Sequence, residues 1–446
     1  MKIVWKPANW MSFATMVVLL GWFAASPTRV QAQQEYNAVC NSSSPPPGIT
    51  CTAAFLDASV APGSDLCAKI FYVLTHSYPA TGAVVDARGI SGSALTCAGG
   101  AGNNSPWVQG IANTNNPSVI LLPTGTINIP TTWILPPRTR IKGMGVDGQN
   151  GTLIQPSSSS FGGTAMIQFG TSSTFGISVE DLTLSGAVGG TSVPGLGGIV
   201  NFYSQEQTYV KHVNLPSFAG TALQIGQSTS TSSGNSGPYE NLYITGGTGP
   251  CVQIIGAETR GIHGMTCSAA EGSGAAAGVL LDAGGSTIED VHFEVFKDGI
   301  LVGANEPAAS NVIFNVSGSS LSGNNMTSVV HISSANSVTD LSVMGVRAIN
   351  SGGTSAPDSI KDDVTGTTLA DLSVGMYALG ESTAGGHTRF TTSPNAPSWV
   401  SGSGVPSGNC AVGSLYSNTA ALSTTNLLYV CVAGTVSNNF VALTIP

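Results

Sequence analysis

Charge is scarce in this chain. Only 8% of its 446 residues are charged, with 14 Lys and Arg against 23 Asp and Glu. An acidic balance of that kind argues against a basic groove for nucleic acid. So few titratable groups also leave little material for chemistry. No C-x-x-C spacing occurs and the six His are scattered, so neither a metal nor another cofactor is expected. Long apolar runs are missing too. Met11 to Ala25 is the one extended apolar stretch, and it is short for a membrane span. Lys2 and Lys6 precede it and Val30-Gln31-Ala32 follows it, the layout of a secretory signal cleaved after Ala32. Cleavage would leave 11 basic against 23 acidic residues, a net charge of −12, and no membrane span. The expected location is outside the cell or on its surface.

Gly numbers 57, and Ser, Thr and Asn abound. Such residues suit many tight turns, where Gly and Asn take left-handed conformations. All eight Cys lie beyond residue 32. An even count in an exported chain favours disulfides. The sequence-local pairing is Cys40 with Cys51, Cys67 with Cys97, Cys251 with Cys267, and Cys410 with Cys431.

Between Ser178 and Val374 one short pattern recurs. It reads Glu180-Asp181-Leu182-Thr183-Leu184, then Lys211-His212-Val213-Asn214-Leu215, then Glu240-Asn241-Leu242-Tyr243-Ile244. Further copies start at Arg260, Glu289, Ser310, Thr339 and Ala370, at spacings of 31, 29, 20, 29, 21, 29 and 31 residues. Polar, aliphatic, variable, apolar is strand alternation. A second short strand follows in each repeat, as in Leu223-Gln224-Ile225 and Val252-Gln253-Ile254. No helical stretch intervenes, which excludes an α/β layout. One strand pair per repeat, stacked at about 4.8 Å, predicts an all-β, right-handed parallel β-helix.

The flanks complete the plan. Residues 33–82 read as a Ser/Pro-rich, disulfide-containing lead-in and a helix over Leu66–Thr75, capped by Ser64-Asp65, that covers the first coil. Residues 83–390 are the β-helix, 391–408 a linker, and 409–446 a small β-unit suited to capping, attachment or homo-oligomer formation. The order helix, Val84-Val85-Asp86-Ala87-Arg88, Leu122-Pro123-Thr124-Gly125-Thr126, Ile141-Lys142-Gly143-Met144-Gly145 and Thr152-Leu153-Ile154 resembles the N-terminal part of the pectate-lyase superfamily. The nearest likeness is to its polygalacturonase-like and tailspike-like members. It covers about Asp65 to Ile154 by motif, and to about Gly380 by repeat pattern. The resemblance implies a β-helix that binds or cleaves an extracellular polysaccharide, by hydrolysis or β-elimination. The alternative is a non-catalytic cell-surface or adhesion protein. The superfamily's catalytic sets are not matched intact. Asp362-Asp363 is the one Asp-Asp pair, Ile262-His263-Gly264 matches half of the His motif, and Arg140-Ile141-Lys142 falls too early in the chain.

Reading the repeats as columns separates structure from candidate chemistry. Glu180, Lys211, Glu240, Arg260 and Glu289 alternate in sign and form an expected charge ladder. Asp181, His212, Asn241, Gly261, Asp290, Asn311, Asp340 and Asp371 are turn formers. The outward column Thr183, Asn214, Tyr243, His263, His292, Ile313 would set His263 beside His292. Glu294 points the same way as His292, because residues two apart share a strand face. Tyr243, His263, His292 and Glu294 are therefore the candidate catalytic cluster, with a His beside a carboxylate able to act as general base. Gln224 and Gln253, in a column with Gln168 and Asn201, join Tyr239 and Arg260 as candidate sugar-binding residues.

Overall fold

In the computed structural model, the alternating stretches close into two long sheets, the longer drawing its strands from Phe55–Asp57 to Leu372–Val374. The structure describes residues 55–76 and 82–363, apart from gaps at 98–103, 109–110, 112–113, 147–149, 229–233, 257, 322, 324–325 and 355–356, together with 372–374, 399–402, 415–418, 428–432 and 440–442. The signal stretch, Cys40, Cys51 and Cys410 lie outside these residues.

The larger sheet has 15 strands. Its path runs from Phe55–Asp57 through Ala83–Asp86, Ser118–Leu121, Thr139–Lys142 and Ser178–Leu184. It continues through Tyr209–Pro216, Tyr239–Gly247, Ile262–Ala269, Thr287–Glu294 and Val312–Leu321 to Leu341–Met344 and Leu372–Val374. The second sheet has nine strands, from Thr131–Leu135 to Asp358–Asp362. Neighbouring strands within both sheets are parallel, as in Val213 beside Leu242 and Leu223 beside Val252. The chain is thus a right-handed parallel β-helix, the hand that twisted strands impose on parallel crossovers.

Why the chain folds this way is visible coil by coil. Each long strand has inward residues on both sides of one corner residue. Val210, Val213 and Leu215 in one coil are followed by Tyr239, Leu242 and Ile244 in the next, and all six are buried. Ile199, Leu223, Val252, Val279, Ile300 and Val330 face them from the second sheet and are also buried. Each aliphatic side chain so buried is worth about 1.5–3 kcal/mol. The corner residue takes left-handed backbone: Asp181 at φ 53°, His212 at 52°, Asn241 at 53°, Asp290 at 55° and Asn315 at 51°, with Gly264 and Gly345 in the same role. Asn, Asp and Gly tolerate that region best. His212 is the exception in kind, and its Nδ1 sits 3.2 Å from the Asp181 carboxylate one coil back.

The corner column corrects the spacing expected above. Gly264, Asn315 and Gly345 stand where Gly261, Asn311 and Asp340 were expected. The register partners just before the corner are Glu180, Lys211, Glu240, His263, Glu289, Phe314 and Met344, at spacings of 31, 29, 23, 26, 25 and 30 residues. Arg260-Gly261-Ile262 misleads because Ile262 is the inward residue before its corner, aligned with Tyr239, and not the one after it. Asn311 turns inward instead. It accepts from the Ser286 amide and donates to the Ala283 carbonyl.

Two further corrections concern the ends. The helix Leu66–His76 is capped by the Asp65 carboxylate, which accepts the Ala68 amide at 2.9 Å. It does not precede the first strand: Phe55–Asp57 comes before it and pairs with Ala83–Asp86. Its buried Leu66, Ile70, Val73 and Leu74 join the common core. Cys67 bonds to Cys97, tying the helix to the next coil. Cys251 bonds to Cys267, and Cys431 is also disulfide-bonded. Near the C-terminus, the stretch read as a linker contains the strand Trp399–Gly402, which pairs in parallel with Leu415–Asn418. Leu428–Cys431 and Phe440–Ala442 complete that four-stranded sheet.

Candidate functional site

The outward side chains just past the corner form one column. In register they are Thr183, Asn214, Tyr243, Thr266, His292, Ser317 and Arg347. Rungs about 4.8 Å apart bring successive side chains into contact distance. Asn241, Tyr243, Gly264, Thr266, Asp290, His292, Asn315 and Ser317 line an open groove of about 470 Å³ along this column. Tyr243 is 51% exposed, so its ring is open to solvent over the groove. Neither of the long stretches expected to wall it, 186–198 and 267–278, contributes a lining residue, so its floor is strand and corner and its sides are open.

His292 is the centre of this strip. Its Nε2 lies 3.3 Å from Glu294 Oε1, and its Nδ1 lies 2.8 Å from Ser317 Oγ on the next coil. A carboxylate only accepts, so the ring proton belongs on Nε2, and Nδ1 then accepts the Ser317 hydroxyl. Beside it, Asn315 donates to the corner carboxylate of Asp290.

The structure separates the other expected members. His263 is not beside His292; Thr266 is. His263 falls in the column before the corner, where its Nδ1 meets Glu289 at 2.7 Å and its Nε2 meets the Arg260 carbonyl at 3.0 Å. The charge ladder therefore runs Lys142, Glu180, Lys211, Glu240, His263, Glu289, and Arg260 lies outside it. Its links are uneven. Lys211 meets Glu240 at 2.9 Å, while Glu180 takes Tyr209 Oη at 2.6 Å, and Lys142 meets Asp181 at 3.0 Å. A hydrogen bond from the Lys142 ammonium to that carboxylate raises its pKa above the ordinary lysine value.

Tyr239 is removed from the sugar-binding candidates. It is fully buried, donates to Ser236 Oγ at 3.0 Å and accepts from Asn201 Nδ2 at 3.0 Å. Burial pushes its phenol up to about 12. Asn201 likewise points inward, and Val200 takes its expected place between Gln168 and Gln224. Gln224 and Gln253 are register neighbours on the second sheet and lie away from the groove. Gln224 donates to the Gly226 carbonyl at 3.4 Å.

Two groups escaped the sequence reading. Ser317 is one. Placing the corner at Asn315, within Phe314-Asn315-Val316-Ser317, would have revealed it. The other is on the second sheet. His331 sits between Asp298 Oδ2 at 2.9 Å and Asp363 Oδ2 at 2.8 Å, and Lys361 Nζ meets the same Asp363 oxygen at 2.8 Å. Hydrogen bonds from Lys361, then His331, hold the Asp363 carboxyl below the usual range. Among the described residues, no group of His, Cys, Asp and Glu is arranged to hold a metal ion, and no helix is long and apolar enough to cross a membrane.

No family model and no curated protein matches the chain. Among solved structures it is similar to a DFA-IIIase from Arthrobacter chlorophenolicus, at 11% identity and TM-score 0.34, over 73% of this chain and 93% of that one. It is also similar to the A-modules of two mannuronan C-5 epimerases from Azotobacter vinelandii. One is 12% identical, covering 60% of this chain and 91% of its own, at TM-score 0.22. The other is 12% identical, covering 58% and 91%, at TM-score 0.26. Likenesses of this size carry no functional argument.

Proposed function

We propose that this is an exported protein that binds an extracellular polysaccharide along the outward column from Tyr243 to Ser317, with His292 as the general base of the strip and Glu294 as the carboxylate beside it. The observation that carries the reading is the column itself. An exposed aromatic face, a hydroxyl, an imidazole and a second hydroxyl follow one another along the groove at strand spacing. Sugars are held by such a mixture of ring faces and hydrogen-bonding edges. Export is supported by disulfides within the described coils.

The second reading is a non-catalytic surface or adhesion protein, attached through the unit that includes Leu415–Asn418 and Leu428–Cys431. The open sides of the groove favour it, because catalysis usually excludes water. A panel of neutral and acidic polysaccharides tests both readings, scored for binding, for new reducing ends and for absorbance of unsaturated products. The polysaccharide reading expects binding to at least one member, weakened in Tyr243→Ala. Binding without turnover of any kind selects the adhesion reading. Absence of binding across the panel rejects the proposal.

A further inference from the structure

The groove holds one arrangement that glycosidic cleavage does not need. Hydrolysis of a glycosidic bond ordinarily uses two carboxyl groups flanking it. Here the Glu294 carboxylate is spent on the imidazole, and the carboxylate that lines the groove, Asp290, is held by Asn315. The imidazole's other nitrogen faces a hydroxyl, at 2.8 Å. Carboxylate, imidazole and hydroxyl in that order, with the ring proton on the carboxylate side, are the parts of an activated serine nucleophile.

We infer that Ser317 is the nucleophile of a Ser317–His292–Glu294 ester-hydrolysing site that removes O-acyl groups from a polysaccharide lying in the groove. The inference rests on the binding reading above for its substrate, and on the side-chain geometry for its chemistry. The sequence supports the positions from two directions. His292 and Glu294 share a face because they are two apart on the strand Thr287–Glu294. Ser317 reaches His292 because the parallel register pairs those two residues. The strand ladder therefore fixes all three side chains on rigid backbone, which loops would not do.

The reaction balances with water as the second reactant. Ser317 Oγ attacks the acyl carbonyl carbon while His292 Nδ1 takes its proton. The bond between carbonyl carbon and sugar oxygen breaks, and His292 returns the proton to the departing sugar hydroxyl. Water then attacks the Ser317 acyl ester with His292 again as base. The carboxylic acid leaves and the serine hydroxyl is restored. Glu294 is a positioning residue here: it fixes the tautomer and stabilises the imidazolium. Arg347 occupies the next rung beyond Ser317, exposed and paired with no carboxylate among the described residues. A cation on the adjacent rung suits the negative charge that develops on the carbonyl oxygen during the attack.

A fluorophosphonate probe with peptide mass spectrometry, and 4-nitrophenyl acetate and an O-acetylated polysaccharide as substrates, test the site on the full chain. The expected result is one label, on Ser317, and acetate release from both substrates. Ser317→Ala should abolish both readouts with its melting curve unchanged. His292→Gln should lower ester turnover by at least about a hundredfold, and it reads the same proton transfer should Ser317→Ala fail to fold. Glu294→Gln should lower kcat and displace its pH profile, which a merely structural carboxylate would not do. No label and no acetate release, or either one retained in Ser317→Ala, overturns the inference. Polysaccharide binding is measured in parallel on both proteins. Binding without ester hydrolysis sinks the esterase and spares the binding reading. Hydrolysis of 4-nitrophenyl acetate at Ser317 without polysaccharide binding upholds the nucleophile and sinks the polysaccharide.

Discussion

His263 and Glu289 face each other across adjacent coils at 2.7 Å, in the column that precedes the corner. That pairing takes His263 out of the groove and leaves His292 there alone. The two histidines therefore predict opposite results. His292→Gln should remove turnover on any substrate the groove accepts. His263→Gln should leave turnover within about twofold and cost well under about 1 kcal/mol, because the contact it loses with Glu289 is open to solvent. Parallel kinetics and thermal melts of the two variants check this.

Tyr239→Phe removes one oxygen from the centre of the fold. The hydroxyl it deletes bonds Asn201 and Ser236, all three being buried. Leaving those partners short of a bond should cost about 1–3 kcal/mol. Polysaccharide binding should be unchanged at temperatures where the variant is folded. Chemical denaturation of the two proteins measures the difference.

Phe293 is wedged against two glycines of the second sheet. A Cβ at Gly278 would lie 2.6 Å from its Cδ1, and one at Gly299 would lie 2.8 Å from its Cδ2. Gly278→Ala should therefore destabilise by about 1–3 kcal/mol through overpacking. Phe293→Ala should cost about 3–5 kcal/mol. The two sites are in contact, so the effects should not add. In a Phe293→Leu background, Gly278→Ala should cost clearly less than it does alone, and a double-mutant cycle reads that coupling.

The disulfides should rank by the loop each one closes. Cys67–Cys97 spans 30 residues and Cys251–Cys267 spans 16. Chain entropy assigns them roughly 3.7 and roughly 3.1 kcal/mol. Pairwise replacement by Ala should destabilise in that order, measured by denaturant titration.

Acid should find the cluster around His331. The Asp363 carboxyl has its pKa depressed by Lys361 and His331 in the folded chain. A depressed carboxylate contributes stability above its unfolded value of about 3.9. That contribution is lost as pH falls through the lower folded pKa. Asp363 is 41% exposed, so the contribution is screened to well under about 1 kcal/mol. Asp363→Asn should lower the melting temperature slightly at neutral pH, and the gap to the parent should close as the pH drops toward about 2.

Much of this architecture was legible in the residues, and the reason is physical. Inward aliphatics at Leu182, Val213, Leu242 and Val291 repeat because every coil must bury the same positions. Register was harder to read. Two inward residues bracket each corner, and an Arg260-Gly261-Ile262 or a Ser310-Asn311-Val312 imitates the pattern three or four residues early. A slip of that size left His292 and Glu294 in place but exchanged Thr266 for His263 and Ser317 for Ile313 as their neighbours. Tyr239 was misplaced for a different reason: a buried tyrosine with satisfied hydroxyl partners has the same letter as an exposed one. The His331 cluster was illegible because its members are 32 and 33 residues apart in sequence and meet only through the stacking of coils.

The spacing of the coils ends in a division of labour. Coil length varies between 23 and 31 residues, yet Tyr243, Thr266, His292, Ser317 and Arg347 each occupy one rung of the same ladder. Surplus residues are expelled into the turns, so the backbone acts as a ruler that insertions cannot stretch. Four intervals of about 4.8 Å fix that row at about 19 Å from end to end. Lengthening a turn would raise a wall beside the row without moving any mark on it. Shape selectivity and chemical spacing are thereby set by different parts of the chain, and either is open to redesign with the other held constant.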